Sequence, residues 1–233
     1  MIWFTGDIHG SPDSIRNFFR KVHPTSEDVI VLLGDVGANY YEDARDENVK
    51  AVLSELKPTI LCVHGNHEIR PWRVKGYELQ TWHGGKVWVQ ERYPNLHFAK
   101  DGEIFTLEGL RYIAIGGAYS VDKYYRLQAG YGWWDDEHPS DEIKAYVEAQ
   151  LKKKPIDVVI SHTCPLRNEP TEVYLDGIDQ STVDKSTEIW LDTIENELDY
   201  MAWYCGHWHT DKRVDKMHFL FHTFESAEEL TRI

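Results

Sequence analysis

The chain has 233 residues, enough for one large or two small domains, and its 42% apolar content supports a buried core and excludes disorder as the dominant state. A formal charge of −14 repels free nucleic acid and anionic membranes, so any phosphate-bearing partner needs a local site of opposite sign. No apolar run approaches the ~18 residues of a membrane-spanning helix, and the opening run to Asp7 lacks the basic and long apolar regions of a secretory signal.

Ile2–Thr5 reads as a short strand closed by Gly6, and Ser11-Pro12 as the cap and first residue of a helix. A second strand is expected over 28–33, ending at Gly34-Asp35, then a helix over 43–56 stopped by Pro58, then a strand over 59–63. Near-continuous apolar strands separated by helices predict parallel pairing. Segments 96–99, 103–107 and 110–115, joined at Asp101-Gly102 and Glu108-Gly109, predict an antiparallel meander. Ser140 caps a helix with Asp141 and Glu142 in its first turn and Lys152 to Lys154 at its end. Further strands are expected over 157–161, 201–204 and 217–221, with a loop to Lys185 and a helix over 187–198 between them. No repeat or linker interrupts this order, which predicts a single domain over 1–233. Cys62, Cys164 and Cys205 lack zinc or redox spacing, which points to a reducing compartment, most simply the cytoplasm.

Outside the meander, the strands from 2 to 204 end in polar clusters beside glycine or serine: Gly6-Asp7-Ile8-His9-Gly10, Gly34-Asp35, Gly65-Asn66-His67-Glu68, Ser161-His162 and Gly206-His207-Trp208-His209. Strand ends are where loops converge into a site in an α/β sheet. Asp7 and His9, like His207 and His209, stand two apart, so in extended chain each pair projects to one face and can hold one ion. The nitrogen and oxygen donors Asp7, His9, Asp35, Asn66, His162, His207 and His209 suit Mn, Fe, Zn, Ni or Co, and they are too many for a single ion. Two ions fit if one carboxylate bridges them.

These five blocks, in this order from Asp7 to His209, resemble the calcineurin-like metallophosphoesterases. The resemblance implies an α/β fold of the α-β-β-α sandwich type, two mixed sheets flanked by helices, with the site at the strand C-terminal ends. It implies two divalent cations, manganese first among the choices. Asp7, His9 and His209 would hold one, Asn66, His162 and His207 the other, and Asp35 would bridge them. His67 matches the family's catalytic histidine, which contacts phosphate or protonates the leaving group, and Asp35 serves catalysis through the shared position. The implied reaction is hydrolysis of a phosphate ester by in-line attack of a hydroxide shared between the two dications.

The Asp-Arg-Gly extension of the family's protein phosphatases is missing at Gly34-Asp35-Val36-Gly37, and Gly-His-x-His is present, so a phosphodiesterase acting on a nucleotide-like or other small diester is the first reading. A phosphomonoesterase, including a protein phosphatase, is the alternative, and a non-catalytic metal-binding scaffold a third. Arg70, three residues after His67, is a candidate phosphate contact. The aromatic and cationic segment 119–134, with Tyr124 and Arg126, is a candidate lid over a nucleotide-like leaving group or, equally, an aromatic loop packed on the sheet edge. The expected partner is a small phosphate ester, with no broad nucleic-acid binding and no membrane; the sequence leaves the oligomeric state open.

Overall fold

In the computed structural model, which describes residues 1–231, β1 (Ile2–Thr5), β2 (Val29–Leu32) and β3 (Thr59–Cys62) pair in parallel. They are apolar on both faces because successive side chains enter opposite layers. Phe4, Val31 and Leu61 enter a central core, whereas Ile30, Leu32 and Ile60 enter an outer one shared with Ile15 and Phe18 of α1 (Asp13–Val22) and Val49 and Leu53 of α2 (Ala44–Ser54). A hairpin of β4 (Tyr77–Trp82) and β5 (Gly85–Gln90), followed by β6 (Leu96–Ala99), extends this sheet beyond β3.

The second sheet begins with the hairpin β7 (Ile104–Leu107) and β8 (Leu110–Ile115). Helices α3 (Lys123–Ala129) and α4 (Asp141–Leu151) precede β9 (Val158–Ser161), and α5 (Ser186–Glu197) precedes β10 (Ala202–Cys205). β11 (Lys212–Val214) and β12 (Met217–Phe219) close that sheet, while β13 (Glu225–Ser226) returns to the first sheet beside β1. The orders are β13-β1-β2-β3-β6-β5-β4 and β11-β12-β10-β9-β8-β7. Val158 and Ile160 share the central core with Phe4 and Val31, and Val159 faces Trp190, Leu191 and Ile194 of α5 on the far side. Phe4 stacks on Tyr204 across the two sheets, their rings 3.9 Å apart and 9° from parallel. The result is an α-β-β-α sandwich of two mixed sheets.

The expected meander does not form. β6 pairs with β3 and β5 in the first sheet, while β7 and β8 belong to the second, so the turn at Asp101-Gly102 carries the chain from one sheet to the other. The hairpin β4–β5 has no counterpart in the sequence reading: β4 is an edge strand whose interior, Glu78 to Thr81, is exposed, so its short Tyr77-Glu78-Leu79-Gln80 alternation buries no core face. Its two-residue turn carries positive φ at His83 (45°) and Gly84 (88°), the geometry that matches strand twist. The helix of Lys123–Ala129 was likewise not expected, and α1 begins at Asp13 without a side-chain cap from Ser11. Residues 232 and 233 of the expected single domain lie outside the described residues. Among the described residues no helix is long and apolar enough to cross a membrane.

Candidate metal centre

Parallel pairing carries the ends of β1, β2 and β3 and those of β9 and β10 to one edge of the sandwich, and the predicted donors meet there. The Nε2 of His209 lies 2.9 Å from Nε2 of His9 and 3.2 Å from the Asp7 carboxylate. A second group forms around Asn66, whose Oδ1 is 2.8 Å from His162 Nε2 and 3.0 Å from His207 Nδ1. Asp35 joins the two: its carboxylate is 3.6 Å from His162 Nε2 and also clusters with His9 and His67.

The surroundings fix which atoms point inward. His162 Nδ1 donates to the Leu33 carbonyl at 2.7 Å, so in a neutral imidazole Nε2 presents its lone pair. The Asn66 amide donates to Ser120 Oγ at 2.9 Å, which turns Oδ1 toward the histidines. Two lone-pair atoms 2.8 Å apart with no proton between them repel one another unless a cation draws both. The residues present therefore fit divalent metal, and their hard and borderline donors suit Mn, Fe, Zn, Ni or Co.

Packing around these groups leaves no room for alternatives. A Cβ on Gly65 would lie 1.9 Å from Asp35 Oδ1, and one on Gly34, at φ +103°, would lie 2.1 Å from His162 Nδ1. His9, Asp35, His207 and His209 themselves occupy the left-handed region, at φ 44°, 46°, 64° and 47°. That conformation costs roughly 1–2 kcal/mol per non-glycine residue and persists where neighbouring bonds impose it, often at functional sites. Here the His9 amide donates to the Asp35 carbonyl (2.8 Å), the His67 amide to the Asp35 carboxylate (2.8 Å), and the His207 amide to both Asp7 oxygens (3.1 Å each).

Burial opposes the Asp35 charge, but the fields of His162, His67 and His9 and the His67 amide outweigh it and hold this carboxyl well below the usual range. Burial, reinforced by His162, pushes His207 well below the ordinary imidazole value, leaving it neutral and able to donate a lone pair. His209 moves the other way, raised by its hydrogen bond to Asp7. His67 is lowered, chiefly by burial, and its Nε2 stands 3.7 Å from Asp122. Asp122 thus faces the histidine from a loop 55 positions along the chain, a separation at which sequence carries no sign of the contact.

Three residues named from sequence take other places. Arg70 is fully buried, and its guanidinium binds the Asp101 carboxylate and the carbonyls of Asp136 (3.0 Å) and His138 (3.3 Å), so it braces the loops instead of meeting phosphate. Tyr124 is 72% exposed and lines neither cavity at the centre. Arg126 is buried and donates to Ser120 Oγ at 3.0 Å, behind the site. Of the two readings of segment 119–134, a stacking lid through Tyr124 and Arg126 is not what these positions give; the segment supplies a support through Ser120 and a wall through Tyr119, Val121 and Asp122. His64 is buried and also lines neither cavity.

Ser120 carries no motif signal in the sequence, yet it orients Asn66 and is itself held by Arg126. Ser120→Ala is expected to keep the fold and weaken metal binding ~10–100-fold, measured by competition with a chelating dye. Unchanged affinity would show that Asn66 orients without it.

Two cavities open from the centre and share His9 and His67. One, of about 450 Å³, passes Asn66, His207 and Trp208 into apolar walls formed by Val173, Leu175, Ile178 and Val183. The other, of about 490 Å³, is bounded by Tyr40, Tyr41, Arg45 and Asn48. Glu188 lines the first and accepts from Thr163 Oγ1 at 2.8 Å, and burial pushes its carboxyl up to about 7. A folded state that prefers the proton is favoured below the ordinary value of 4.5, and that preference is lost as pH rises through about 7. Wild type should therefore lose on the order of 3 kcal/mol relative to Glu188→Gln between pH 4.5 and 8, read from urea unfolding of metal-depleted protein. Parallel pH profiles for the two proteins would contradict this.

The family model for calcineurin-like phosphoesterases matches residues 1–211, and the chain belongs to that family. It is a metal-dependent phosphoester hydrolase. Among solved structures it is similar to TT1561 of Thermus thermophilus, with 14% identity, a TM-score of 0.51, and coverage of 94% of this chain and 87% of that one. It is also similar to the phosphopantetheinyl hydrolase PptH of Mycobacterium tuberculosis, with 16% identity, a TM-score of 0.49 and the same coverage. At such identities the likeness concerns the fold. The search of curated proteins gave no significant match.

Proposed function

We propose that the chain is a phosphodiesterase acting on small diesters. The observation that supports this most is the pair of cavities meeting at His9 and His67, since a diester carries two organic arms and a small monoester one. Asp7, His9, Asp35 and His209 would hold one divalent cation and Asp35, Asn66, His162 and His207 the other, with manganese the first candidate. Bound there, two such ions supply positive charge to the phosphoryl oxygens and lower the pKa of a water.

The chain's own residues do the rest. Asp35 keeps the two donor groups at a common position. His67, anchored through its amide on Asp35, offers Nε2 to the leaving oxygen or to a phosphoryl oxygen, and Asp122 stabilises the proton there. The apolar cavity walls exclude water from the departing arm. The working protein is read as one domain in the cytoplasm, with a small phosphate ester as partner and neither nucleic acid nor membrane bound broadly.

A panel on the Mn-loaded protein tests this: bis(4-nitrophenyl) phosphate, 4-nitrophenyl phosphate, cyclic nucleotides and dinucleoside polyphosphates. kcat/KM on the aryl diester should exceed that on the monoester by about tenfold or more, the scale of one well-filled pocket. A ratio below one would favour the phosphomonoesterase alternative, and no turnover of any member the non-catalytic scaffold.

A further inference from the structure

The two cavities differ in chemistry, and the apolar one contains a polar group that the metal centre does not use. Glu188 is 4% exposed; Thr163 satisfies one carboxyl oxygen, while Oε2 has no hydrogen-bond partner among the described residues. A buried polar atom without a partner costs free energy, and one on the wall of a cavity is satisfied when a ligand brings the complementary group. The same cavity is lined by the aliphatic side chains of Val173, Leu175, Ile178 and Val183.

Charge narrows the choice of ligand. The cavity's ammonium, Lys185, is already committed, 2.6 Å from the Glu169 carboxylate and 3.0 Å from Tyr174 Oη. Two further carboxylates on the wall add acidity, Asp122, 3.7 Å from His67, and Asp184, 3.8 Å from His138. An anionic arm would meet like charge without a free cation to pair with, and a strongly cationic arm would leave its water shell for aliphatic walls.

We propose that this cavity receives one ester arm of the substrate, an uncharged and largely apolar alcohol carrying a hydrogen-bond acceptor such as an amide carbonyl, which Glu188 engages as a protonated donor. The proposal rests on the phosphodiesterase reading and adds to it the chemical class of one arm. Burial, which pushes the Glu188 carboxyl up to about 7, accords with the donor role. Glu188 is assigned here to substrate specificity and not to the metal centre.

The test uses mixed 4-nitrophenyl phosphodiesters whose second ester is methyl, n-hexyl, an N-acetylaminoalkyl chain of equal length, a carboxyalkyl chain or a trimethylammonioalkyl chain. On the Mn-loaded protein, kcat/KM for the hexyl and amide esters should exceed that for methyl by about tenfold or more, and neither charged chain should gain. Glu188→Gln, which retains an N–H donor, should keep the amide advantage. Glu188→Leu should lose the amide gain while the hexyl gain remains. Leu175 is 63% exposed, so Leu175→Asp leaves the core intact; it should bring the hexyl-to-methyl ratio to within about threefold of one. A flat series, a charged chain as the best substrate, or an amide advantage indifferent to Glu188→Leu would overturn the proposal while leaving the phosphodiesterase reading in place. Failure to cleave the methyl diester alongside cleavage of 4-nitrophenyl phosphate would overturn both.

Discussion

Asp35→Ala should yield a folded protein that retains neither cation after dialysis and hydrolyses no phosphodiester above background. Asp35 is buried between the two donor groups, near His162, His9 and His67; Asp7 also clusters with both His209 and His162, but of these two carboxylates Asp35 is the one grouped with His67. Its removal also deprives the His67 amide of its acceptor. Both cations and the orientation of the histidine thus depend on one side chain, and the loss in affinity should exceed the ~10–100-fold expected for an outer partner such as Ser120. Asp35→Asn, which retains an oxygen for the amide but not the charge, separates the two effects. It should restore the position of His67 without restoring metal, as read by metal analysis and by the histidine NMR spectrum. Two cations retained in Asp35→Ala would contradict the bridging role.

His67→Ala should retain two cations and lose activity by roughly 10²–10⁴-fold. The loss should depend on the leaving group. A 4-nitrophenolate departs without a proton, so the smaller effect falls there; an alkoxide needs one, so the larger effect falls on an alkyl ester. That slope separates proton delivery from simple loss of a phosphate contact, which would lower both rates alike. Asp122→Asn should act in the same direction but more weakly, because Asp122 acts only through His67. Full activity of His67→Ala on both esters would remove the assignment.

The donors were legible because the chemistry requires them at strand ends, and strand ends show in sequence as an apolar run stopping at glycine or serine and a polar residue. Asp7, Asp35, Asn66, His162 and His207 stand where that pattern places them. Sheet membership was not legible, since the turn at Asp101-Gly102 reads the same whether the next strand pairs beside the last or crosses to another sheet. Arg70 misled for a related reason: proximity to His67 along the chain suggested a shared site, but an arginine whose carboxylate partner lies 31 positions away turns inward. Ser120, Asp122 and Glu188 act through contacts made by the fold, and each is an ordinary polar residue in its local sequence. The apolar cavity escaped for the same reason, as its walls come from a segment, 166–183, whose short 3₁₀ turns carry no helical or strand period.

The most direct measurement is a titration of metal-depleted protein with Mn²⁺, following hydrolysis of bis(4-nitrophenyl) phosphate against equivalents added. A rate that rises from background to a plateau at two ions per chain, and returns to background with chelator, is expected from two cations sharing Asp35. Full activity in the metal-depleted protein, or a plateau at a single equivalent, would contradict a two-cation phosphodiesterase.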